Sequence, residues 1–175
     1  PMIINNAIWF CTDQSLIKWS NNNTYCVHQC TKDLGIIRCH SCCNDRHLIY
    51  IINGMHGNII TFDAKTKKFI ETIKIPNIGG CTTSIMFNQQ IHIFGTEGNS
   101  GKYGIFDMKQ KVMIFKRDYF GNTSILNEHI VHHNERIIRF GGYNAQTLRY
   151  CDHFITACTK KSNEQNHNLE WTRHE

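Results

Sequence analysis

Three short stretches of this chain share one design and recur at a nearly fixed interval. Residues 134–142 read Asn-Glu-Arg-Ile-Ile-Arg-Phe-Gly-Gly: a polar turn, a β-rich run and two glycines. Residues 88–95, Asn-Gln-Gln-Ile-His-Ile-Phe-Gly, and residues 44–54, which run from Asn44 through Leu48-Ile49-Tyr50-Ile51-Ile52 to Gly54, follow the same order. The leading asparagines, Asn44, Asn88 and Asn134, stand 44 and 46 residues apart. A second marker keeps the same step, because Phe62-Asp63, Phe106-Asp107 and Cys151-Asp152 are 44 and 45 residues apart. Two independent markers with one period of about 45 residues restrict the chain to a repeat architecture of the solenoid or propeller kind.

Within each period the chain reads as short strands parted by turn residues. The second unit gives strands at 35–40, 48–52, 58–63 and 68–73, with its first turn at Asn44-Asp45. The third gives 83–87, 91–94, 102–107 and 112–115, and the fourth 128–133, 136–140, 146–152 and 154–157. Four short strands per period are what one antiparallel propeller blade needs. Ahead of these, 7–11, 16–19 and 24–28 read as a first blade without its opening strand. Runs such as Ile49-Tyr50-Ile51-Ile52 and Ile137-Ile138 are apolar at consecutive positions, so both faces of those strands are covered, as in a blade sandwiched between neighbours. The expectation is an all-β chain: residues 1–158 form about three and a half four-stranded antiparallel blades with boundaries near 34, 79 and 125. Residues 159–175 follow as a polar tail or linker, or a weak amphipathic helix.

Composition narrows the function. Charged residues make up 19 % and hydrophobic residues 41 % of the 175, which fits a folded domain with a sizeable core. The net charge of +5 is spread singly or in pairs such as Lys67-Lys68 and Lys160-Lys161, so it describes a solvated surface and no nucleic-acid stripe. No run of 18 apolar residues calls for a membrane span, and the start, Pro1-Met2-Ile3-Ile4, carries no signal-peptide pattern. An initial proline points to a fragment or partial gene product. Nine cysteines without a secretory signal are expected as reduced thiols in a cytoplasmic protein.

The repeated unit resembles the kelch repeat, whose blades join a β-hairpin, a double glycine after the second strand, a tyrosine beyond a variable loop and a tryptophan opening the outer strand. Gly141-Gly142 occupy the diglycine positions and Tyr150 the tyrosine; a weaker copy has Gly95-Thr96, Tyr103 and Phe106, and the weakest Asn53-Gly54 and Phe62. Phe69, Phe115 or another apolar residue replaces the tryptophan. Residues 58–66 also resemble a WD40 or quinoprotein-type blade, with an aspartate-led turn after the strand. The resemblance covers roughly residues 8–157 and implies a partial kelch-like β-propeller, since propellers close with roughly 4 to 8 blades. It also implies a non-catalytic platform that binds a protein partner through the loops at 54–57, 95–101 and 142–146. The alternative it carries is a copper enzyme similar to galactose oxidase, for which Tyr103, Tyr150 and His132 are the parallels.

Local chemistry is sparse. Cys26, His28 and Cys30 alternate, and Cys39, His40, Cys42 and Cys43 follow, a set that a structural zinc ion can use. The one-residue gaps differ from the usual two- to four-residue spacing, and free cysteines in strands more often fill cores. His132-His133 reads as a solvated pair beside the Asn134 turn, and the glycine-rich 95–101 lacks the lysine of a phosphate loop. No nucleophile elbow or carboxylate pair stands out. The expectation is therefore no catalytic residue, no cofactor and no bound metal.

Overall fold

The computed structural model describes residues 2–12, 15–20, 25–29, 40–54, 56–76, 83–94, 102–117, 125–126, 129–133, 136–144, 148–150, 154–159 and 169–174. Every regular element among them is a β-strand. The first sheet holds β1 (Met2–Ile4), β2 (Ala7–Cys11), β3 (Ser15–Trp19) and β4 (Tyr25–Gln29), in that order. The second holds β5 (His40–Asp45), β6 (Leu48–Asn53), β7 (Asn58–Asp63) and β8 (Lys68–Lys74). The third holds β9 (Thr83–Phe87), β10 (Gln90–Phe94), β11 (Lys102–Asp107) and β12 (Val112–Arg117). After β13 (Ile125–Leu126), the fourth sheet is built from β14 (His129–His133), β15 (Arg136–Phe140), β18 (Phe154–Thr159) and β19 (Leu169–His174). Between β15 and β18, β16 (Tyr143–Asn144) and β17 (Arg149–Tyr150) pair with each other, and β16 also pairs with β13, making a small separate sheet.

The four large sheets are antiparallel meanders, and their first strands lie side by side, β1 near β5, β5 beside β9 and β9 beside β14. This is a partial β-propeller of four-stranded blades. Tight hairpins set the register. Asn5 and Asn6 have φ of 50° and 56°, and Asn88 and Gln89 have 49° and 61°, the left-handed pair required by a two-residue hairpin loop. In the second blade Arg46, at 53°, opens a two-residue loop in which it alone is left-handed.

Several expected boundaries move. The first blade has its opening strand, β1, whose three residues pair with Ala7, Ile8 and Trp9. The described first strand of the second blade is His40–Asp45, residues 35–39 lying outside the described residues, and the chain turns at Arg46-His47 while Asn44 and Asp45 pair with Ile49 and Leu48 inside the ladder. A two-residue slip leaves every side chain on its own face, so the hydrophobic pattern cannot separate the two registers, and asparagine's preference for turns favoured the wrong one. In the fourth blade the third strand is Phe154–Thr159, whereas Arg149 and Tyr150, from the stretch expected to form it, belong to the small hairpin. Asp63 and Asp107 each end a third strand, while Asp152, outside the described residues, precedes one in the sequence. The stretch expected as a tail supplies β19, which pairs along its whole length with β18. Its Leu-Glu-Trp-Thr alternation is a strand period, hidden by the polar residues around it.

The core lies in three seams between neighbouring blades. Met2, Ile4, Trp9 and Leu16 of the first blade meet Ile49, Ile51, Ile60 and Phe62 of the second. From the opposite side of those same strands, Tyr50, Ile52 and Ile59 meet Ile91, Ile93 and Phe106 of the third. This explains the continuous apolar run of β6, since odd residues face one neighbour and even residues the other. Each fully buried isoleucine contributes on the order of 2 kcal/mol. The outer face of the first blade is not covered in this way: Ile3, Ile8, Trp19, Tyr25 and Val27 are exposed along it.

Candidate functional site

The two ends of the blades differ in construction. At one end lie the two-residue hairpins and, in the second and third blades, the four-residue turns that join third to fourth strands. In those turns the Asp63 carboxylate accepts hydrogen bonds from the Lys65 and Thr66 amides at 2.7 and 3.2 Å, and from the Thr66 hydroxyl at 2.8 Å. Asp107 repeats the device, accepting from the Lys109 and Gln110 amides at 2.9 and 2.8 Å. The fourth residue of each turn, Lys67 or Lys111, is left-handed and donates its amide to the aspartate carbonyl at 2.8 Å. For Asp63, burial raises the pKa but the hydrogen bonds from Thr66 and Lys65 outweigh it; for Asp107 the Gln110 amide leads, and both carboxyls end below their ordinary value.

The opposite end is irregular. There the connections between second and third strands lengthen from 54–57 in the second blade to 95–101 in the third and 141–153 in the fourth. The first of these is compact: Asn53 Oδ1 accepts from the His56 amide at 3.4 Å, Gly57 donates to the Gly54 carbonyl at 3.3 Å, and Ile75 donates to Gly57 at 2.9 Å. The last leaves β15 through Gly141 and Gly142, at φ of 67° and 92°, a conformation that only glycine adopts freely. It then forms the β16–β17 hairpin, which β13, from the connection between third and fourth blades, joins through Ile125–Asn144 and Leu126–Tyr143 pairing. Residues 95–101 and 145–147 lie outside the described residues.

Beneath this end, the seam between the third and fourth blades sets a buried cation against stacked rings. Arg139 is 1 % exposed, with its guanidinium carbon 4.2 Å from the centre of the Phe94 ring. Phe94 stacks on Tyr103 at 5.0 Å, and buried His92 stacks on Tyr103 at 6.2 Å. The line of rings continues through Phe87, 5.9 Å from His92, to His132, 4.8 Å from Phe87. Arg139, Phe94 and Tyr103 lie where β15, β10 and β11 meet the irregular end; Phe87 and His132 lie next to the tight hairpins. Sequence reasoning passed over His92 and Arg139. The available signal was their register, for Arg139 lies two residues after Ile137 on the inward face of an apolar strand.

The residues singled out for metal chemistry are separated. His28 is a half-buried ring, stacked 5.6 Å from Trp9 and tilted 5.3 Å from Phe62, and burial together with the Lys67 and Lys18 charges lowers its pKa. Cys26 is exposed. Cys42 packs against the first seam while Cys43 packs into the second, on the other side of β5, where burial pushes its thiol up to about 12. Cys30 and Cys39 lie outside the described residues. Among the described residues, no three histidine, cysteine or carboxylate side chains are grouped to hold a metal ion. Of the copper-site parallels, buried Tyr103 and exposed His132 occupy opposite ends of the third seam, and the Tyr150 side chain lies outside the described residues. His133, like His132, is exposed.

No family model matches the sequence, and no curated protein matches it. Solved structures do resemble the fold. One, described as "Structure of YjhT", superposes with a TM-score of 0.73 and 10 % identity, covering 99 % of this chain and 63 % of that one. Likeness at that identity concerns the fold alone, and the chain spans a little under two thirds of YjhT. No helix among the described residues is long and apolar enough to cross a membrane.

Proposed function

We propose that the protein is a kelch-like propeller that works as a non-catalytic, cytoplasmic platform for a protein partner, engaged at the irregular end of the blades. One observation carries this reading: one end has two-residue connections between first and second strands in every blade and aspartate-capped turns in the second and third, while the other has connections between second and third strands that lengthen from blade to blade, the last forming a separate small sheet with part of the link between the third and fourth blades. Connections mounted on a rigid scaffold are where binding residues concentrate, because they vary without disturbing the blade core. The stacked Arg139–Phe94–Tyr103 layer stiffens the scaffold directly under those connections.

The test compares two variants in quantitative affinity capture with cross-linking. In one, residues 143–150 are replaced by a short glycine-serine link; in the other, Asn88-Gln89 become Asn-Gly at the tight-turn end. Loss of a stoichiometric partner in the first variant and its retention in the second is expected. Equal retention in both removes the irregular end from the interface. Stoichiometric copper with oxidation of an alcohol substrate would replace the platform with a galactose-oxidase-like enzyme, and stoichiometric zinc lost on Cys26→Ser would restore the structural-metal reading.

A further inference from the structure

We propose that two copies of this chain dock head to tail, the fourth blade of each on the first blade of the other, so that the two arcs close one ring about a two-fold axis. The register of the second strands carries the argument. Ile8, Ile49, Ile91 and Ile137 are the second residues of β2, β6, β10 and β15. In the three later blades this isoleucine packs on the blade before and is fully buried, whereas Ile8, with no blade before it, is 38 % exposed. The other end of the arc shows the same break. Ile52 and Phe94, the fifth residues of β6 and β10, are fully buried against the blade that follows, and Phe140, the fifth of β15, is 40 % exposed.

The open face of the first blade is continuous and apolar. Cross-strand pairing lines up the exposed side chains of Ile3, Ile8, Trp19 and Tyr25 across all four strands, Val27 is exposed in the next row, and no described residue on this face is charged. The open face of the fourth blade pairs His129 with Phe140, Val131 with Ile138 and His133 with Arg136. Each is one half of a seam like the three inside the chain, so what fits it is the complementary face of another four-stranded blade. Both terminal blades hold four strands of their own, and closure needs no exchange of strands.

A second copy supplies that face at both ends. Every seam within the chain joins the forward side of one blade to the backward side of the next, and one side of each kind is left open, so two copies satisfy each other twice. Charge favours the same pairing. Two fourth-blade faces would set Arg136 against its like, whereas the first-blade face offers Trp19 and Tyr25 without a charge, and Arg139 over Phe94 shows a guanidinium packed on a ring in such a seam. The chain spans 63 % of YjhT, so four blades fall short of that fold. Two arcs of four make eight, inside the roughly 4 to 8 blades at which propellers close. The contact follows from the third seam, where Phe94 meets Arg139: the equivalent positions across the new seam are Phe140 of one copy and Phe10 of the other.

The test measures the mass of the 175-residue chain by size-exclusion chromatography with light scattering over a wide range of concentration. Wild type should run at twice 20.4 kDa, and Ile8→Lys and Phe140→Lys should each run at 20.4 kDa with an unchanged circular-dichroism spectrum. An equimolar mixture of the two variants should associate again, because each keeps the face that the other has lost. With p-benzoylphenylalanine in place of Phe140 on an otherwise wild-type chain, light should cross-link one copy to the Phe10 peptide of the other. Wild type that stays at 20.4 kDa throughout overturns the proposal and leaves the open faces to further blades of a longer chain. A dimer that survives Phe140→Lys, or variants that do not associate when mixed, overturns the head-to-tail pairing. The wild-type mass and the cross-link stand even where a lysine variant fails to fold.

Discussion

The guanidinium of Arg139 lies over the face of Phe94, 4.2 Å from the ring centre, and the two residues come from neighbouring blades. A fully buried cation set against a ring quadrupole gains more than an exposed one, and removing it also leaves a cavity in the seam. Arg139→Ala is expected to cost about 3 kcal/mol, and Arg139→Lys less, since lysine keeps a cation and much of the volume although its ammonium lacks the planar face that stacks on the ring. Urea denaturation of the two variants checks this. An alanine variant within about 1 kcal/mol of wild type would show that the seam tolerates losing the contact.

Gly141 isolates backbone strain from crowding. Its φ is +67°, yet a Cβ placed there meets no atom within 4 Å. The whole penalty of a side chain is then conformational, roughly 1–2 kcal/mol for alanine, less for asparagine and more for a β-branched residue. Melting temperatures should fall in the order Gly141→Asn, Gly141→Ala, Gly141→Val, with the last well below Asn144→Val at a strand position. Equal losses for Gly141→Val and Asn144→Val would contradict it.

How far the sequence could be read depends on what marks each strand. In the third blade, turn chemistry and apolar alternation agree, and Thr83–Phe87, Lys102–Asp107 and the turn at Asn88 emerge as read. In the second blade two turn signals compete, Asn44-Asp45 and Arg46-His47, and only cross-strand pairing decides between them. The fourth blade misleads because the β16–β17 hairpin occupies the interval where a third strand is due, and the Cys151-Asp152 pair, outside the described residues, keeps the spacing of Phe62-Asp63 but precedes β18 in the sequence. The candidate site was legible as loop length at 54–57 and 142–146. Its underlying layer was legible only as register, which puts Arg139 on the inward face with Ile137, because which blade lies opposite His92 and Arg139 is not encoded in local sequence.

His28 links the first seam to pH. Burial, helped by the Lys67 and Lys18 charges, lowers its pKa in the folded chain. The unfolded chain therefore binds a proton first as pH falls, and the stability linked to this residue declines from about pH 6.5 downward until the folded group titrates as well. His28→Phe should keep the stacking on Trp9 and remove that part of the slope. The readout is the difference between wild-type and variant stability at pH 7.5 and pH 5 (values chosen to bracket ~6.5), which cancels the other histidines. An unchanged difference would mean that His28 is solvated in the folded protein.

The turn aspartates respond at lower pH and with a related sign. The Asp107 carboxylate is held below its ordinary pKa, chiefly by the Gln110 amide, and Asp63 is held low by Thr66 and Lys65 against the opposing effect of burial. A depressed folded pKa contributes stability above the unfolded value of about 3.9, and that contribution disappears as pH falls through the folded value. Asp107→Asn keeps an acceptor oxygen in place but loses the charge that strengthens its hydrogen bonds. The variant should melt a few degrees below wild type at neutral pH, and the two curves should converge in acid. Asp63→Asn should behave in the same direction, because Asp63 and Asp107 make the same turn in adjacent blades. Parallel melting curves from neutral to acid pH would show that the turns depend on acceptor geometry alone and not on carboxylate charge.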